Sequence, residues 1–459
     1  MDKGSILQTL GQVGAGEVGE VFREYLRGAT REMLVNVMAE EVTRLCGAAY
    51  HPTREAEFYR AGSAEGYAYI EACREDIVHP RVRQRKEEAT TEEVTLESYT
   101  AAQDASEAQR LLLEALVAAG SMRRVGRVVN KQRGSSKSNV SRLWQKVGRE
   151  KFAEFRRRPL NVDAKGKPRD WLALMLDGVS LAKDLSAVVA VGITVEGWKV
   201  VLDFELGASE NVTTASTLVS RIVERGFVPS GDRPLLAVLD GSEALRKAVV
   251  KHFLDARIQR CLVHKERNLK RYLARRDWPE MEGHINRLRK VQGADAALEA
   301  LLELDSFLER KNAAARQSLH EAGLDMIRVH LLDTPSTLHV SFLSTNMVEN
   351  TIRNFRYCSG RVNRWRAETD QAARWLATGL LSAEEGFHRL SHYEDLPAVV
   401  DHLAARRDTE NLNTLKEKLP DWLVAEVDGA KEDHAEEDPG LATSCVSCTE
   451  LLTVQAASR

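Results

Sequence analysis

Two apolar runs that each stop at an Asp-Gly pair constrain this chain more than any other feature. They are Leu174-Met175-Leu176-Asp177-Gly178 and Ala237-Val238-Leu239-Asp240-Gly241. A short, wholly apolar run closed by a turn former reads as a strand buried on both faces. Open α/β sheets bind ligands outside the carboxyl ends of their strands, so carboxylates at two neighbouring ends can converge on one point. Such a pair repels unless a cation lies between the acids. Hard divalent cations such as Mg²⁺ take oxygen ligands, and two of them together suit phosphoryl transfer. The plainer alternative for each Asp is a strand-end turn, which Asp-Gly favours without any ligand.

The segments around these runs supply the rest of a sheet. Stretches 172–181, 186–195 and 199–206 read as three consecutive strands, and a helix fits Asn211 to Gly226. Residues 234–239 form a short strand, Ser242 to Phe253 a helix with Leu245, Ala248, Val249 and Phe253 inward, and one more strand lies near 257–263. This order predicts an α/β fold with a mixed sheet of the ribonuclease H-like type. Residues 264–333 read almost wholly as helix, an all-helical insertion into that core.

A third acid is expected, and Glu349 is the best candidate. Its helix opens at Ser344-Thr345-Asn346 and turns Val348, Ile352 and Phe355 inward. Arg353 and Arg356 follow on the same face and could hold a phosphate beside the carboxylate, although Glu349 with Arg353 also reads as an ordinary surface ion pair. Asp184, Asp203, Glu205 and Asp255 are competing acids; Asp203 and Glu205 share a strand face but lack the strand-end position. Cys261 and His264 have the spacing of half a zinc site, with no second pair at a suitable distance to complete it.

Upstream, residues 17–46 carry apolar side chains at three- and four-residue spacing and read as one amphipathic helix, while 50–84 suggests short strands and turns. Helical periodicity resumes at Leu111 to Val117 and at Val125 to Val129, breaks at Arg133-Gly134-Ser135, and returns with Val140, Leu143, Trp144 and Val147 on one stripe. That is a helix-turn-helix pattern, though ordinary helical hairpins mimic it. Its second helix would present Lys137, Asn139, Arg142, Gln145 and Lys146 to a major groove, where Asn, Gln and Arg can read base edges.

Charge supports a polyanionic partner by position rather than by sum. The 459 residues carry a formal net charge of only -3. Yet 121–170 holds 16 Lys/Arg against 4 Asp/Glu, 256–290 holds 11 against 4, and 421–440 holds 1 against 8. A basic stripe is the footprint of phosphate binding, and salt-bridged solvated helices would leave the same trace. No uncharged apolar run has the length of about 18 residues that a membrane span needs. Six scattered cysteines make no disulfide framework, and residues 1–20 carry no apolar secretory segment, which points to the cytoplasm.

Taken together, these residues resemble bacterial insertion-sequence transposases of the Mutator type, from about Met33 to Leu390. The resemblance rests on Leu176-Asp177-Gly178, the run into Asp240-Gly241, Gln259-Arg260-Cys261-Leu262-Val263-His264-Lys265-Glu266-Arg267-Asn268-Leu269, and Ser344-Thr345-Asn346-Met347-Val348-Glu349-Asn350. It implies a transposase with an acidic DDE triad, Asp177, Asp240 and Glu349, as ligands of two catalytic Mg²⁺ or Mn²⁺ ions. Cys261 and His264 become neighbours of that active site. The basic block and the helix spacing, not the resemblance, make Lys265, Arg267, Arg353 and Arg356 further candidate DNA contacts. The implied partners are double-stranded DNA, as terminal inverted repeats and target, and further copies of the chain in a homodimer or larger assembly at the bacterial nucleoid. The alternative is a DNA-binding relic that has lost catalysis.

The resulting division is 1–105 for DNA-end binding or oligomerisation, 106–168 for a helix-turn-helix-like domain, and 169–263 for the first part of the core. Residues 264–337 form the helical insertion, 338–395 the last part of the core with the catalytic Glu, and 396–459 a helical segment with an acidic tail.

Overall fold

A computed structural model of the chain describes residues 18–50, 57–70, 73–86, 91–119, 137–208, 211–359, 362, 364–366 and 369–424. Among the described residues the fold is mixed α/β, with two sheets and many helices. It divides into two compact units, one of Met1–Arg156 with Arg353–Ser382 and one of Arg157–Ile352 with Ala383–Arg459.

In the first unit, helix Val18–Cys46 packs on an antiparallel sheet of β1 (Phe58–Ile70), β2 (Cys73–Arg85) and β3 (Thr91–Val94). Met38, Val42 and Cys46 meet Ala68, Ile77, Val82 and Leu96 in its core. The strands expected to be short are each 13 residues long. A bulge between Arg60 and Ser63, with Gly62 at φ 80°, absorbs the irregular Gly-bearing stretch without ending the ladder. The helix carries two apolar stripes rather than the expected one. Opposite the core stripe, Phe22, Leu26, Met33 and Val37 are exposed, and at 3.6 residues per turn they fall within about 60° of arc along roughly 22 Å.

Helix Lys137–Arg157 buries Val140 and Trp144 as its periodicity predicts. Trp144 lies against Trp375 of helix Gln371–Glu385, with ring centroids 4.9 Å apart, and Arg149 pairs with Asp370 at 2.8 Å. The helix expected before it, around Val125 to Val129, lies outside the described residues, and with it the helix-turn-helix pairing.

The second unit is built on β4 (Trp171–Ala182), β5 (Leu185–Thr194), β6 (Lys199–Gly207), β7 (Leu236–Leu239) and β8 (Arg257–Arg260), in the spatial order β6-β5-β4-β7-β8. The pairs β4–β5 and β5–β6 are antiparallel, whereas β4–β7 and β7–β8 are parallel. Helices Val212–Glu224 and Glu243–His252 supply the crossovers that parallel pairing requires. Ala215, Leu218, Val219, Ile222, Leu245 and Val249 cover the sheet face that shows Leu174, Leu176, Ala237 and Leu239. Residues after β8 are helical, as expected, in Leu262–Tyr272, Trp278–Lys290, Ala294–Lys311 and Ala313–Ala322. Among the described residues no helix is long and apolar enough to cross a membrane.

Candidate functional site

Strand register sets the two aspartates side by side. Parallel pairing of β4 with β7 ends at Leu176 and Leu239, so Asp177 and Asp240 occupy the next step on adjacent strands. Side chains alternate along a strand, and Leu176 and Leu239 both face the helix-covered side, which sends both carboxylates to the opposite face. The sequence leaves open whether Asp177 ends its strand or interrupts it. In fact β4 continues through it, paired to Val189, as far as Ala182. It is β7 that stops, and the carboxyl edge of the short strand opens the site. The turn reading of Asp240 holds as well: its Oδ1 accepts the Ser242 N–H at 2.8 Å. Gly241 follows at φ 108°, where a Cβ would run into the Arg260 side chain.

Two later segments complete the cluster. Helix Leu262–Tyr272 begins earlier than the expected strand end near 263, because Leu262 N–H finds the Leu343 carbonyl at 2.9 Å and the chain turns there. That places His264 on the first helical turn, and its Nε2 lies 3.7 Å from Asp177 Oδ2 and 3.0 Å from Glu349 Oε1. A carboxylate only accepts, so Nε2 carries the hydrogen in this arrangement. Glu349, in the first turn of helix Asn346–Ser359, also receives Arg267 at 2.7 Å. Arg267, not Arg353, is therefore the ion-pair partner of Glu349; Arg353 and Arg356 are exposed farther along the same helix.

Burial pushes the Asp177 carboxyl up to about 7, the nearby Asp240 and Glu349 add to the rise, and His264 and a bond from Thr345 oppose it. Burial raises Glu349 too, but the bonds from Arg267 and His264 outweigh it and hold that carboxyl below its ordinary range. The two acids thus sit in contrasting environments, one buried beside other acids and one held by cationic or donating groups.

Among the described residues, Asp177, Asp240 and His264 bring donor atoms within 4.8 Å of one another, a group able to hold a metal ion. Two carboxylates supply the hard oxygen donors that Mg²⁺ and Mn²⁺ prefer, and an imidazole that gives up its proton can join them. Cys261 is not part of this group. Its buried Sγ accepts the Thr345 N–H at 3.3 Å. Thr345, whose hydroxyl donates to Asp177 Oδ2 at 3.0 Å, is the residue that sequence reasoning passes over. Ser344-Thr345-Asn346 looks like nothing more than a helix opening.

The competing acids have other employment. Asp203 is buried against Arg221 and Arg225, Glu205 pairs with Arg221, Asp255 pairs with Arg257, and Asp184 is exposed in a turn. Of the expected DNA contacts, Arg142, Gln145 and Lys146 are exposed, while the side chains of Lys137 and Asn139 lie outside the described residues. Arg267 is half exposed beside Glu349. Lys265 must be corrected. It is wholly buried, its ammonium donates to the Ser318 carbonyl at 2.6 Å, and burial followed by the nearby Arg260 lowers it to about 8, so it cannot reach a phosphate.

A sheet that brings two carboxylates and an imidazole to one point has the donor set of a divalent-cation site on an α/β framework. The chain belongs to the Mutator family of transposases, whose family model matches residues 2–388. Among curated relatives, the transposase for insertion sequence element IS905 of Lactococcus lactis subsp. lactis (strain IL1403) is 27% identical over 219 residues, 46% of this chain and 51% of the relative. The transposase for IS256 in transposon Tn4001 of Staphylococcus aureus is 25% identical over 252 residues, covering 53% and 62%. That for IS1081 of Mycobacterium tuberculosis (strain ATCC 25618 / H37Rv) is 24% identical over 330 residues, covering 69% and 75%. The alignment with the IS905 protein therefore spans about half of that relative's length.

Proposed function

We propose that the chain acts as the transposase of an insertion sequence, binding the terminal inverted repeats, cleaving DNA strands there and joining the released 3′-hydroxyls to target DNA. The observation that carries this reading is the convergence of Asp177, Asp240 and His264 within 4.8 Å, with Glu349 one hydrogen bond beyond. Asp177, Asp240 and Glu349 form the DDE triad and hold two Mg²⁺ or Mn²⁺ ions. Bound there, such ions activate an attacking oxygen and stabilise a leaving one. His264 orients Glu349, and Arg267, Arg353 and Arg356 neutralise phosphates of the bound strand. Lys137, Asn139, Arg142, Gln145 and Lys146 face duplex DNA from the second helix of a helix-turn-helix.

The five-stranded order, antiparallel on one side of β4 and parallel on the other, supports a ribonuclease H-like core over 169–263 and 338–395, interrupted by helices over 264–337. Residues 1–168 then serve end recognition and assembly in the bacterial cytoplasm, at the nucleoid. Two element ends must be held at once, which favours a homodimer or larger. The exposed stripe of Phe22, Leu26, Met33 and Val37 suits that contact. Light scattering should give at least twice the chain mass, and Met33→Glu should lower it; a monomeric wild type would refute the assembly.

The direct test incubates the purified protein with duplex carrying the element's own ends, Mg²⁺ and a target plasmid. Expected are nicks at the ends and covalent joints to the plasmid. Nicking without joints would indicate a nuclease, and binding with neither would indicate a non-catalytic relic; both outcomes overturn the proposal.

A further inference from the structure

Thr345 contacts the site directly, yet the triad reading gives it no role. It is wholly buried, and its polar atoms meet site residues or their supports. The backbone N–H donates to Cys261 Sγ at 3.3 Å, Oγ1 lies 3.5 Å from the same sulfur, and Oγ1 lies 3.0 Å from Asp177 Oδ2. A hydroxyl has one hydrogen, and of these two neighbours the carboxylate is the far stronger acceptor. Oγ–H therefore donates to Asp177 at 3.0 Å, and the sulfur, at 3.5 Å from Oγ1, is the weaker alternative acceptor, held to Thr345 by the backbone N–H. The Thr345 carbonyl meanwhile accepts the Glu349 N–H at 3.0 Å, within the first turn of the helix that carries Glu349.

We infer that Thr345 is a positioning residue for the proposed reaction, fixing Asp177 through its hydroxyl while the Cys261 thiol fixes Thr345. The inference rests on the reading of Asp177 as a carboxylate that holds a divalent cation. The Cys261–Thr345–Asp177 chain joins three segments remote in sequence: strand β4, the turn after β8, and the start of the Glu349 helix. Valine in place of Thr345 would keep the volume and lose the donor, leaving an Asp177 oxygen buried without its partner. Cys261 needs no reactivity for this role. Its size and its ability to accept the Thr345 N–H are sufficient.

The test compares full-length wild type, Thr345→Val, Thr345→Ser, Cys261→Ala and Asp177→Asn. Mn²⁺ binding is measured by calorimetry without DNA, and end cleavage is resolved into kcat and KM. Groups that orient metal ligands typically contribute 10- to 100-fold, so Thr345→Val should weaken Mn²⁺ binding and lower kcat by about tenfold or more with KM unchanged. Thr345→Ser, which keeps the hydroxyl, should stay within about threefold of wild type, and Cys261→Ala should fall between the two. A merely structural role would lower the melting temperature and leave Mn²⁺ affinity alone, and that result in Thr345→Val overturns the inference, as does a Ser variant as impaired as the Val one. Should Thr345→Val not fold, wild-type Mn²⁺ affinity in Cys261→Ala overturns it instead. If Asp177→Asn binds Mn²⁺ as tightly as wild type, the cation reading of Asp177 fails and the inference falls with it, an outcome distinguishable from loss in Asp177→Asn with retention in Thr345→Val.

Discussion

Asp177→Asn and Glu349→Gln are each expected to lower the rate of strand cleavage at the element's ends by about a thousandfold or more. Divalent-cation catalysis contributes several kcal/mol to such reactions, and each 1.36 kcal/mol is tenfold in rate. Affinity for the same DNA should change by less than about threefold, because the proposed DNA contacts are basic side chains elsewhere and phosphate contacts carry most of the binding. The two variants should differ in one respect. Asparagine at 177 can still accept from Thr345, whereas glutamine at 349 leaves Arg267 facing a neutral amide in place of its carboxylate. Glu349→Gln should therefore also make DNA binding slightly tighter and more salt-dependent, since a freed guanidinium can reach a phosphate. Nicking assays and salt-series binding measurements on both variants check this. Cleavage within tenfold of wild type in either one would remove that residue from the triad.

Asp177 and Asp240 are legible in the sequence because a parallel sheet writes itself as apolar runs, and an acid that stops such a run has few places to be. What spacing cannot supply is register. Only the pairing of Leu176 with Leu239 makes the two acids neighbours, and the pairing of Asp177 with Val189 shows that Asp177 lies within its strand, not at the end. Glu349 is legible as a candidate from the apolar stripe of its helix, but its partner is not. Helical spacing favours Arg353, whereas the chain brings in Arg267 from 82 residues away. Lys265 is misassigned because it lies in a basic block. The signal against it was present: Leu262, Lys265 and Leu269 follow three- and four-residue spacing, and all three are buried. The second stripe on helix Val18–Cys46 was hidden for the opposite reason, since two apolar faces on one helix merge into one periodic signal. Thr345 had no distinctive signal, since its partners Cys261 and Asp177 are 84 and 168 residues away.

In EDTA at pH 8, Asp177→Asn is expected to melt above wild type, although it is expected to be inactive. Burial pushes the Asp177 carboxyl up to about 7, with Asp240 and Glu349 adding to the rise while His264 and the Thr345 hydroxyl oppose it. The folded chain then binds this proton more tightly than the unfolded chain, whose aspartate has its ordinary value of about 3.9. The sign follows from linkage: the contribution is fully present below about pH 4 and is lost as pH rises through about 7. Above 7, the wild-type fold holds a buried ionised carboxylate, and asparagine removes the cost of burying that charge while keeping the shape. A shift of about three units has a ceiling of about 4 kcal/mol, and relaxation of the site will reduce it to roughly half. At roughly 2–4 °C per kcal/mol for a unit of this size, the variant should melt about 4–8 °C higher at pH 8. The gap should close towards pH 5, where the carboxyl is protonated. Added Mn²⁺ should reverse it, because a cation bound only by the wild-type fold stabilises that fold by mass action. Thermal melts of both proteins from pH 5 to 8, with EDTA and with Mn²⁺, read all three effects. Equal melting at pH 8 in EDTA would mean that the carboxylate is not under electrostatic strain, and a gap that Mn²⁺ leaves untouched would mean that relieving this strain is not the work of a divalent cation.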